Sequence, residues 1–302
     1  MKKAVAVFLG CVLLAGLFAG GAVAAEKHKV YLITMDQMDQ HWVTVNAGAE
    51  KAVAELGTID YKWLAPDVKD DAKQIEAVNN AVAGGAEVLL VAANGPTAIS
   101  AALKEASEAG VKIVYVDSPA DFPAIQTLAT DNEAAGVTAG KEMLKALEAA
   151  GVAEGKIGIV NVNAATASTV AREKGFRAAF EGTKFELLET QYCDGDAARA
   201  KDIASNYITQ GCVGIFGANE GSTVGTGNAI QEAGGKVVGV GFDKSNMILS
   251  LIKNGFLVAT MAQNPDVMGY EGVKTAAKAL AGEPTGAEYV DTGVSVLTKN
   301  DL

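Results

Sequence analysis

The chain has 302 residues, of which 49% are hydrophobic and 6% aromatic, with 36 Asp and Glu against 25 Lys and Arg. This composition excludes collagen-like, disordered and disulfide-dense proteins, and the length suits one large domain or two domains of ordinary size. The formal charge of −11 leaves no broad basic face, which disfavours nucleic acid and anionic membrane surfaces as partners.

The first 25 residues have the organisation of a secretory signal peptide. Two lysines precede an apolar run over 4–18, and the Ala-Val-Ala sequence at 22–24 supplies the small residues of a cleavage site. One alternative is a retained membrane anchor, but the run is short and interrupted by glycines. A second alternative is a lipoprotein with its lipid attached to Cys11. Against it, Phe8 stands where such a lipidation site has a small or branched aliphatic residue. We therefore predict an exported protein whose residues 1–25 are a signal peptide.

Short β-branched runs then alternate with amphipathic helical patterns. The predicted strands are Lys29–Met35, Tyr61–Ala65, Val88–Ala93, Val111–Val116, Ile125–Ala129, Lys156–Val162, Phe185–Tyr192, Val213–Gly217, Val237–Phe242, Leu257–Ala262 and Tyr289–Val296. Most of them are nearly continuous hydrophobic runs, as strands buried on both faces are. In the intervening helices apolar residues recur at helical spacing, as at Ile75, Val78 and Val82. The alternation predicts an α/β fold with doubly wound parallel sheets, and nine or more strands fit two sheets better than one.

Two domains require the chain to cross between them through short ordered segments, because no low-complexity linker divides it. The predicted crossings carry Asp, Asn, Pro or Gly, which suit turns and hinges, and are 129–132, 263–265 and 291–293. The predicted lobes are residues 26–130 with 264–292, and residues 131–263 with 293–302.

The exported chain retains two cysteines, Cys193 and Cys212, which an oxidising compartment would allow to pair. Cys193 follows one predicted strand and Cys212 precedes the next, so a parallel βαβ unit places them at opposite ends of the sheet. The helix between them is about 18 Å long, whereas a disulfide needs Cα atoms within about 7 Å. We predict two free thiols, with a disulfide as the alternative.

Polar side chains follow most of the predicted strands. In open parallel sheets, ligands bind beyond the carboxyl ends of the strands. Singly, each residue has an ordinary interpretation: Asn94 suits a turn, Asp243 a helix cap, and Trp42 the hydrophobic core. If two sheets face one cleft, these acids, amides and an arginine converge there and suit a neutral polyhydroxy ligand. The set comprises residues 36–42, Asn94, Asp117, Ser118, Asn161, Asn163, Arg172, Asn219, Glu220, Asp243, Gln263 and Asn264.

Six stretches match one known family in order: Asp36–Trp42, Val114–Asp117, Ala171–Phe176, Phe216–Glu220, Val238–Asp243 and Ala259–Gln263. On these stretches the chain resembles the periplasmic ribose-binding protein family, the pentose- and hexose-binding components of bacterial ABC transporters. The resemblance implies the type I periplasmic binding protein fold, with three interdomain crossings and a cleft that closes on its ligand. It also implies sugar contacts from Asp39, His41, Trp42, Asp117, Arg172, Asn219, Asp243 and Gln263.

The chain departs from ribose binders of that family at several of these positions. His41 and Trp42 stand where ribose binders have two adjacent aromatics, and Asp39 stands where they have Asn. A third aromatic falls near Gly195, with Tyr192 as its candidate replacement. Ser118 replaces a common Arg, and Ala92 replaces an amide for which Asn94 is the candidate substitute. These changes favour a sugar other than ribose, with an additional hydroxyl or an amino group, because unpaired buried polar groups are costly.

The resemblance predicts a periplasmic substrate-binding protein that delivers a monosaccharide or related polyol to an ABC transporter permease, as a monomer and without a cofactor. The alternative is a receptor for a small sugar-derived signalling molecule or a chemotaxis ligand read by a chemoreceptor. A secreted carbohydrate-active enzyme is less favoured, because His28 and His41 are the only histidines and zinc-binding motifs are absent.

Glycine clusters at 221–227 and 136–140 resemble phosphate-binding loops only superficially. Their spacing matches neither the dinucleotide-binding nor the Walker motif. Loose packing of helices is the expected reason for these glycines.

Overall fold

A computed structural model describes residues 27–302, and the predicted signal peptide lies outside this range. The strands are β1 (His28–Ile33), β2 (Ile59–Leu64), β3 (Val88–Val91), β4 (Lys112–Val116), β5 (Thr127–Ala129), β6 (Gly155–Asn161), β7 (Phe185–Leu187), β8 (Gln191–Tyr192), β9 (Cys212–Gly217), β10 (Val238–Phe242), β11 (Ala259–Gln263), β12 (Tyr289–Asp291) and β13 (Val294–Thr298). The helices are α1 (Gln40–Leu56), α2 (Asp71–Ala83), α3 (Pro96–Glu108), α4 (Asn132–Ala149), α5 (Ala167–Ala179), α6 (Ala197–Thr209), α7 (Glu220–Glu232), α8 (Asn246–Lys253) and α9 (Pro265–Ala281), followed by a 3-10 turn at Lys299–Asp301. Among residues 27–302, no helix is long and apolar enough to span a membrane.

The strands form two sheets, which confirms the predicted α/β fold with two parallel-sheet domains. The first sheet has the order β12-β5-β4-β3-β1-β2, and all its neighbouring strands run parallel. The second has the order β13-β11-β10-β9-β6-β7, with β8 also beside β6. Only β13 runs antiparallel to its neighbour. It is reached directly from the first sheet and not through a crossover helix, so nothing requires it to run parallel to β11.

Two predicted strands are wrong in extent. The run 185–192 forms two short strands, β7 and β8, which both pair with β6. The run 289–296 divides between the sheets, because β12 pairs with β5 and β13 pairs with β11. Hydrophobic periodicity reports local burial, and it carries no information on which sheet buries a segment.

The chain changes sheets at three places. It passes from β5 to α4, which packs on β10 and β11, and it returns from β11 to α9, which packs on β3 and β4. It changes sheets again between β12 and β13, where Gly293 has a φ of 82°. The assignment of every residue to one lobe remains a prediction.

Helices cover both faces of each sheet and meet at glycines. The loose packing expected of these glycines is wrong, because their backbones touch. A Cβ on Gly136 would lie 2.1 Å from the carbonyl oxygen of Arg172, and one on Gly221 would lie 1.8 Å from that of Gly195. The glycines therefore bring α4 against α5, and α7 against the loop after β8.

Cys193 and Cys212 are buried free thiols. One lies just after β8 and the other at the start of β9. Burial raises the pKa of both thiols to about 11.

Candidate functional site

The carboxyl ends of strands from both sheets border one buried cavity. Eight of the nine predicted site residues line it: Asp39, His41, Trp42, Asp117, Arg172, Asn219, Asp243 and Gln263. Its volume is about 20 Å³, which is room for about one water molecule. The structure thus brings residues from distant parts of the chain together in a cleft that is closed.

Asp117 and Asp243 occupy corresponding positions, each directly after a strand. Both have left-handed backbone conformations, with φ of 64° and 74°. The backbone N–H of Asp117 donates to Leu128 O at 2.8 Å, and that of Asp243 donates to Met261 O at 2.9 Å. Such a conformation is costly for a residue with a side chain and clusters at functional sites. Here the two turns bring one carboxylate from each sheet to the cavity.

The ring of His41, on α1, lies between these two carboxylates. Its Nε2 is 3.3 Å from Asp117 Oδ1, and its Nδ1 is 3.5 Å from Asp243 Oδ1. Burial opposes protonation of the ring, but the contact with Asp117 and the charge of Asp243 outweigh it and raise the pKa of His41 to about 8. His41 is therefore a cation near neutral pH that bridges the two halves of the cleft.

Arg172, on α5, is held by its own domain and faces the other. Its Nε donates to Asn132 Oδ1 at 2.8 Å, its Nη1 donates to Ala218 O at 3.0 Å, and its guanidinium lies 4.1 Å from the ring centroid of Phe242. Its Nη2 is 3.6 Å from Asp117 Oδ1. Burial opposes ionisation of Asp117, but His41 and Arg172 together hold the pKa of its carboxyl below the ordinary value.

Asp243, Gln263 and Asn219 complete the second domain's side of the cavity. Gln263 donates from Nε2 to Asp243 Oδ1 at 2.6 Å and accepts at Oε1 from Thr130 Oγ1 at 2.8 Å. Asn219 is the N-cap of α7, and its Oδ1 accepts from the Ser222 N–H at 3.1 Å. Asn219 therefore both caps a helix and lines the cavity, whereas the cap that the sequence suggested for Asp243 is supplied by Ser245, the N-cap of α8.

Lys69 also lines the cavity, and the sequence reasoning missed it. Its Nζ donates to Asp39 Oδ2 at 2.7 Å and to Asp36. Burial disfavours the ammonium, but these two carboxylates raise the pKa of Lys69 above its ordinary value. Burial, with the nearby charge of Asp36, raises the pKa of Asp39 despite Lys69. Lys69 lies in the loop that follows β2, five residues beyond Leu64, so the polar residues of this loop are the sequence signal for it.

The sequence allowed two interpretations of Trp42, a core aromatic and a residue of the binding site, and its position fits both. It is 4% exposed, belongs to the core of the first domain and also lines the cavity. Its indole meets the His41 ring edge-on, with centroids 4.6 Å apart.

Asn94 and Tyr192, the candidate replacements for missing family contacts, do not line the cavity. Asn94 donates from Nδ2 to Asp71 Oδ1 at 2.6 Å, and its backbone carbonyl oxygen accepts from Thr166 Oγ1 at 2.7 Å. Its side-chain amide donates to a neighbouring acid and does not line the inner cavity, so a contact between Asn94 and the ligand stays a prediction. Tyr192 is exposed.

A groove of about 560 Å³ opens at the cleft mouth and shares Asp39 and Lys69 with the inner cavity. Met38 and Val68 line it from the first domain, and Met247 lines it from the second. Its volume is in the range of small-molecule sites. Within residues 27–302, no group of three or more His, Cys, Asp or Glu side chains is placed to hold a metal ion.

Comparison with known proteins gives one consistent result. Residues 30–284 match the model of the periplasmic binding protein domain. The chain is 30% identical over 295 residues to the ribose import binding protein RbsB of Escherichia coli (strain K12), covering 96% of each chain. Among solved structures, it is similar to a carbohydrate transporter solute binding protein from Agrobacterium radiobacter in complex with D-arabinose, with a TM-score of 0.88, 30% identity and coverage of 92% and 96%. It is also similar to an ABC transporter solute binding protein from Agrobacterium vitis with bound D-fucose, with a TM-score of 0.85, 31% identity and coverage of 90% and 96%.

Proposed function

We propose a function on the premise that this chain belongs to the periplasmic ribose-binding protein family. The protein is the substrate-binding component of an ABC transporter. It captures either a monosaccharide (a pentose or a hexose) or a related polyol between its two domains and delivers this ligand to a membrane permease. Residues 1–25 direct its export to the periplasm, where it acts as a monomer.

Three buried polar atoms that meet at the cavity carry this proposal. His41 Nε2, Asp117 Oδ1 and Arg172 Nη2 are all buried, and in the described part of the chain they face one another as ion pairs at 3.3 and 3.6 Å but make no hydrogen bond. A buried polar atom that lacks a hydrogen bond costs about 1–3 kcal/mol. A sugar hydroxyl both donates and accepts, so one hydroxyl pairs with the carboxylate while a second accepts from the guanidinium.

The size of the cavity implies that ligand binding requires domain motion. Room for one water does not admit a monosaccharide, so the sugar enters when the domains are further apart. The groove at the cleft mouth is the route. The sugar then bridges Asp117 of the first domain and Arg172 of the second, which favours closure. The permease, and a chemoreceptor where one exists, recognises the closed form.

The departures from ribose binders support a ligand other than ribose. Asp39 is engaged with Lys69, and the candidate aromatic Tyr192 lies away from the cavity. The two solved relatives described above were crystallised with D-arabinose and D-fucose. We therefore place these two sugars first in a ligand screen.

Catalysis is not part of the proposal. The relatives are named as an import binding protein and as transporter solute binding proteins, which supports a transport role.

A thermal-shift screen of the exported chain against pentoses, hexoses, amino sugars, polyols and nucleosides tests the function. A ligand at about 1,000 times its Kd stabilises the folded protein by about 4 kcal/mol, which raises the Tm by roughly 10 °C. We expect one stereochemical series to produce this shift. A folded protein whose Tm is unchanged by every sugar and polyol would refute the proposal.

A further inference from the structure

The N-terminus of α1 is capped from the opposite side of the cleft. Its own N-cap residue, Asp39, makes no capping hydrogen bond, because its carboxylate is bound to Lys69. Instead, the carboxylate of Glu220, at the start of α7, accepts from the Gln40 N–H at 3.1 Å and from the His41 N–H at 3.0 Å. Helix N–H groups at this position have no partner within the helix. Glu220 therefore satisfies two donors of the first domain with a side chain of the second.

A second contact runs in the opposite direction. Gln40 Oε1 accepts from the backbone N–H of Asn246 at 3.0 Å, and Asn246 is the first residue of α8. Each domain thus caps a helix of the other. When the domains separate, both contacts are lost and water takes the place of the side chains.

The charges around Glu220 make this contact sensitive to protons. The titratable residues that share its surroundings are Asp36, Asp39, His41, Asp67 and Lys69 of the first domain, and Asp194, Asp196 and Asp243 of the second. Burial, followed by the charges of Asp39 and Asp243, raises the pKa of Glu220 to about 7, whereas its ordinary value is 4.5. Closing the cleft therefore takes up a proton at Glu220 between these values, and the contact weakens as pH rises through 7.

We propose that Glu220 and Gln40 form an interdomain latch that favours closure before any ligand binds, with Glu220 acting as a positioning residue for His41. The latch acts in the ligand-free protein, so it does not depend on the identity of the ligand. Only its consequence, tighter sugar binding, rests on the proposed function. Its effect on affinity follows from population shift, since a larger closed fraction before binding lowers the conformational cost of binding.

Distance measurements between spin labels in the ligand-free protein test the latch. Lys73→Cys on α2 and Asp202→Cys on α6 provide exposed labelling sites, one in each domain, while both native cysteines of the described chain are buried. At pH 6, Glu220→Ala should lower the closed-to-open ratio about tenfold, because it leaves two helix N–H groups without their cap. Glu220→Gln keeps one acceptor and no charge, so it should remain closed at pH 6.

The pH profile separates the latch from a merely structural role. Between about pH 4.5 and 5.5, where an imidazole with the ordinary pKa of 6.5 is still about nine-tenths protonated or more, the wild-type closed fraction should fall with rising pH, and that of Glu220→Gln should fall less. Gln40→Ala should open the cleft to a similar extent. Glu232→Gln, on the exposed end of α7 and paired with Lys201, should behave as wild type.

An unchanged closed fraction in both Glu220→Ala and Gln40→Ala would overturn the latch, even if the protein binds sugar. If Glu220→Ala opens the cleft but no sugar binds to the wild type, the latch stands and the proposed function fails.

Discussion

At the scale of single residues, the site is organised by charges that lie between the two domains. Asp117 faces His41 of its own domain and Arg172 of the other, while Asp243 faces His41 from the second domain. Because these groups are buried, removing one leaves its partners with an uncompensated charge, and the penalty exceeds the value of any one contact.

Replacement of Asp117 by Asn should weaken sugar binding by about 2–4 kcal/mol, because Arg172 and His41 lose their carboxylate and the sugar loses an acceptor. Calorimetry with the sugar found in the thermal-shift screen measures the change. Asp121→Asn, an exposed acid after the same strand, is the matched control and should retain parental affinity. If Asp117→Asn also binds with parental affinity, Asp117 does not contact the ligand.

His41 should titrate with a pKa of about 8 in the closed protein. A raised pKa contributes stability that is complete below the ordinary value of 6.5 and is lost as pH rises through 8, amounting to at most about 2 kcal/mol. NMR of the imidazole nitrogens measures the pKa directly, and a His28→Gln variant assigns the signals, because the chain has only two histidines. Asp243→Asn should lower the pKa, and an unchanged pKa there would show that His41 does not face Asp243 in solution.

At the scale of elements, helix pairs set the position of the binding side chains. The contact between α4 and α5 is a backbone contact at Gly136, and the residue it touches is Arg172 itself. The same helix pair supplies Asn132, which orients the guanidinium. Packing of these two helices therefore fixes both the backbone and the side chain of Arg172.

Gly136→Ala should destabilise the protein by about 1–3 kcal/mol and also weaken sugar binding, because α5 must shift away from α4. Chemical denaturation and calorimetry on the same sample measure the two effects. Lys145→Ala, on the exposed face of α4, should change stability by less than about 0.5 kcal/mol. Parental stability of Gly136→Ala would mean that the helices are further apart than the structure shows.

At the scale of the whole molecule, neither domain is a continuous piece of chain. Helix α9 follows the last parallel strand of the second sheet, yet it packs along α1 on the first. Its Met268, Val273 and Ala276 are buried in the same core as Trp42. Because of this exchange of segments, the two domains are joined by three short crossings.

A chain that ends at Gln263 should not unfold cooperatively, because the first sheet then exposes the surface that α9 covers. Near-ultraviolet circular dichroism during denaturation distinguishes the outcomes. Removal of 299–302 alone should leave the transition nearly unchanged, since the last turn is exposed. A cooperative unfolding transition in the chain that ends at Gln263 would contradict the predicted division into lobes.

The sequence by itself determined the order of strands and helices and most of the cavity lining, since buried parallel strands are continuous hydrophobic runs and their polar carboxyl ends are local features. Tertiary structure alone decided the relations between the domains. Glu220 caps the helix that begins at Gln40 across 180 positions of sequence, the Asn94 amide donates to Asp71, and β12 and β13 pair in different sheets. Periodicity records which face of an element is buried, but these contacts depend on how the two domains are positioned against each other, and no local pattern encodes that.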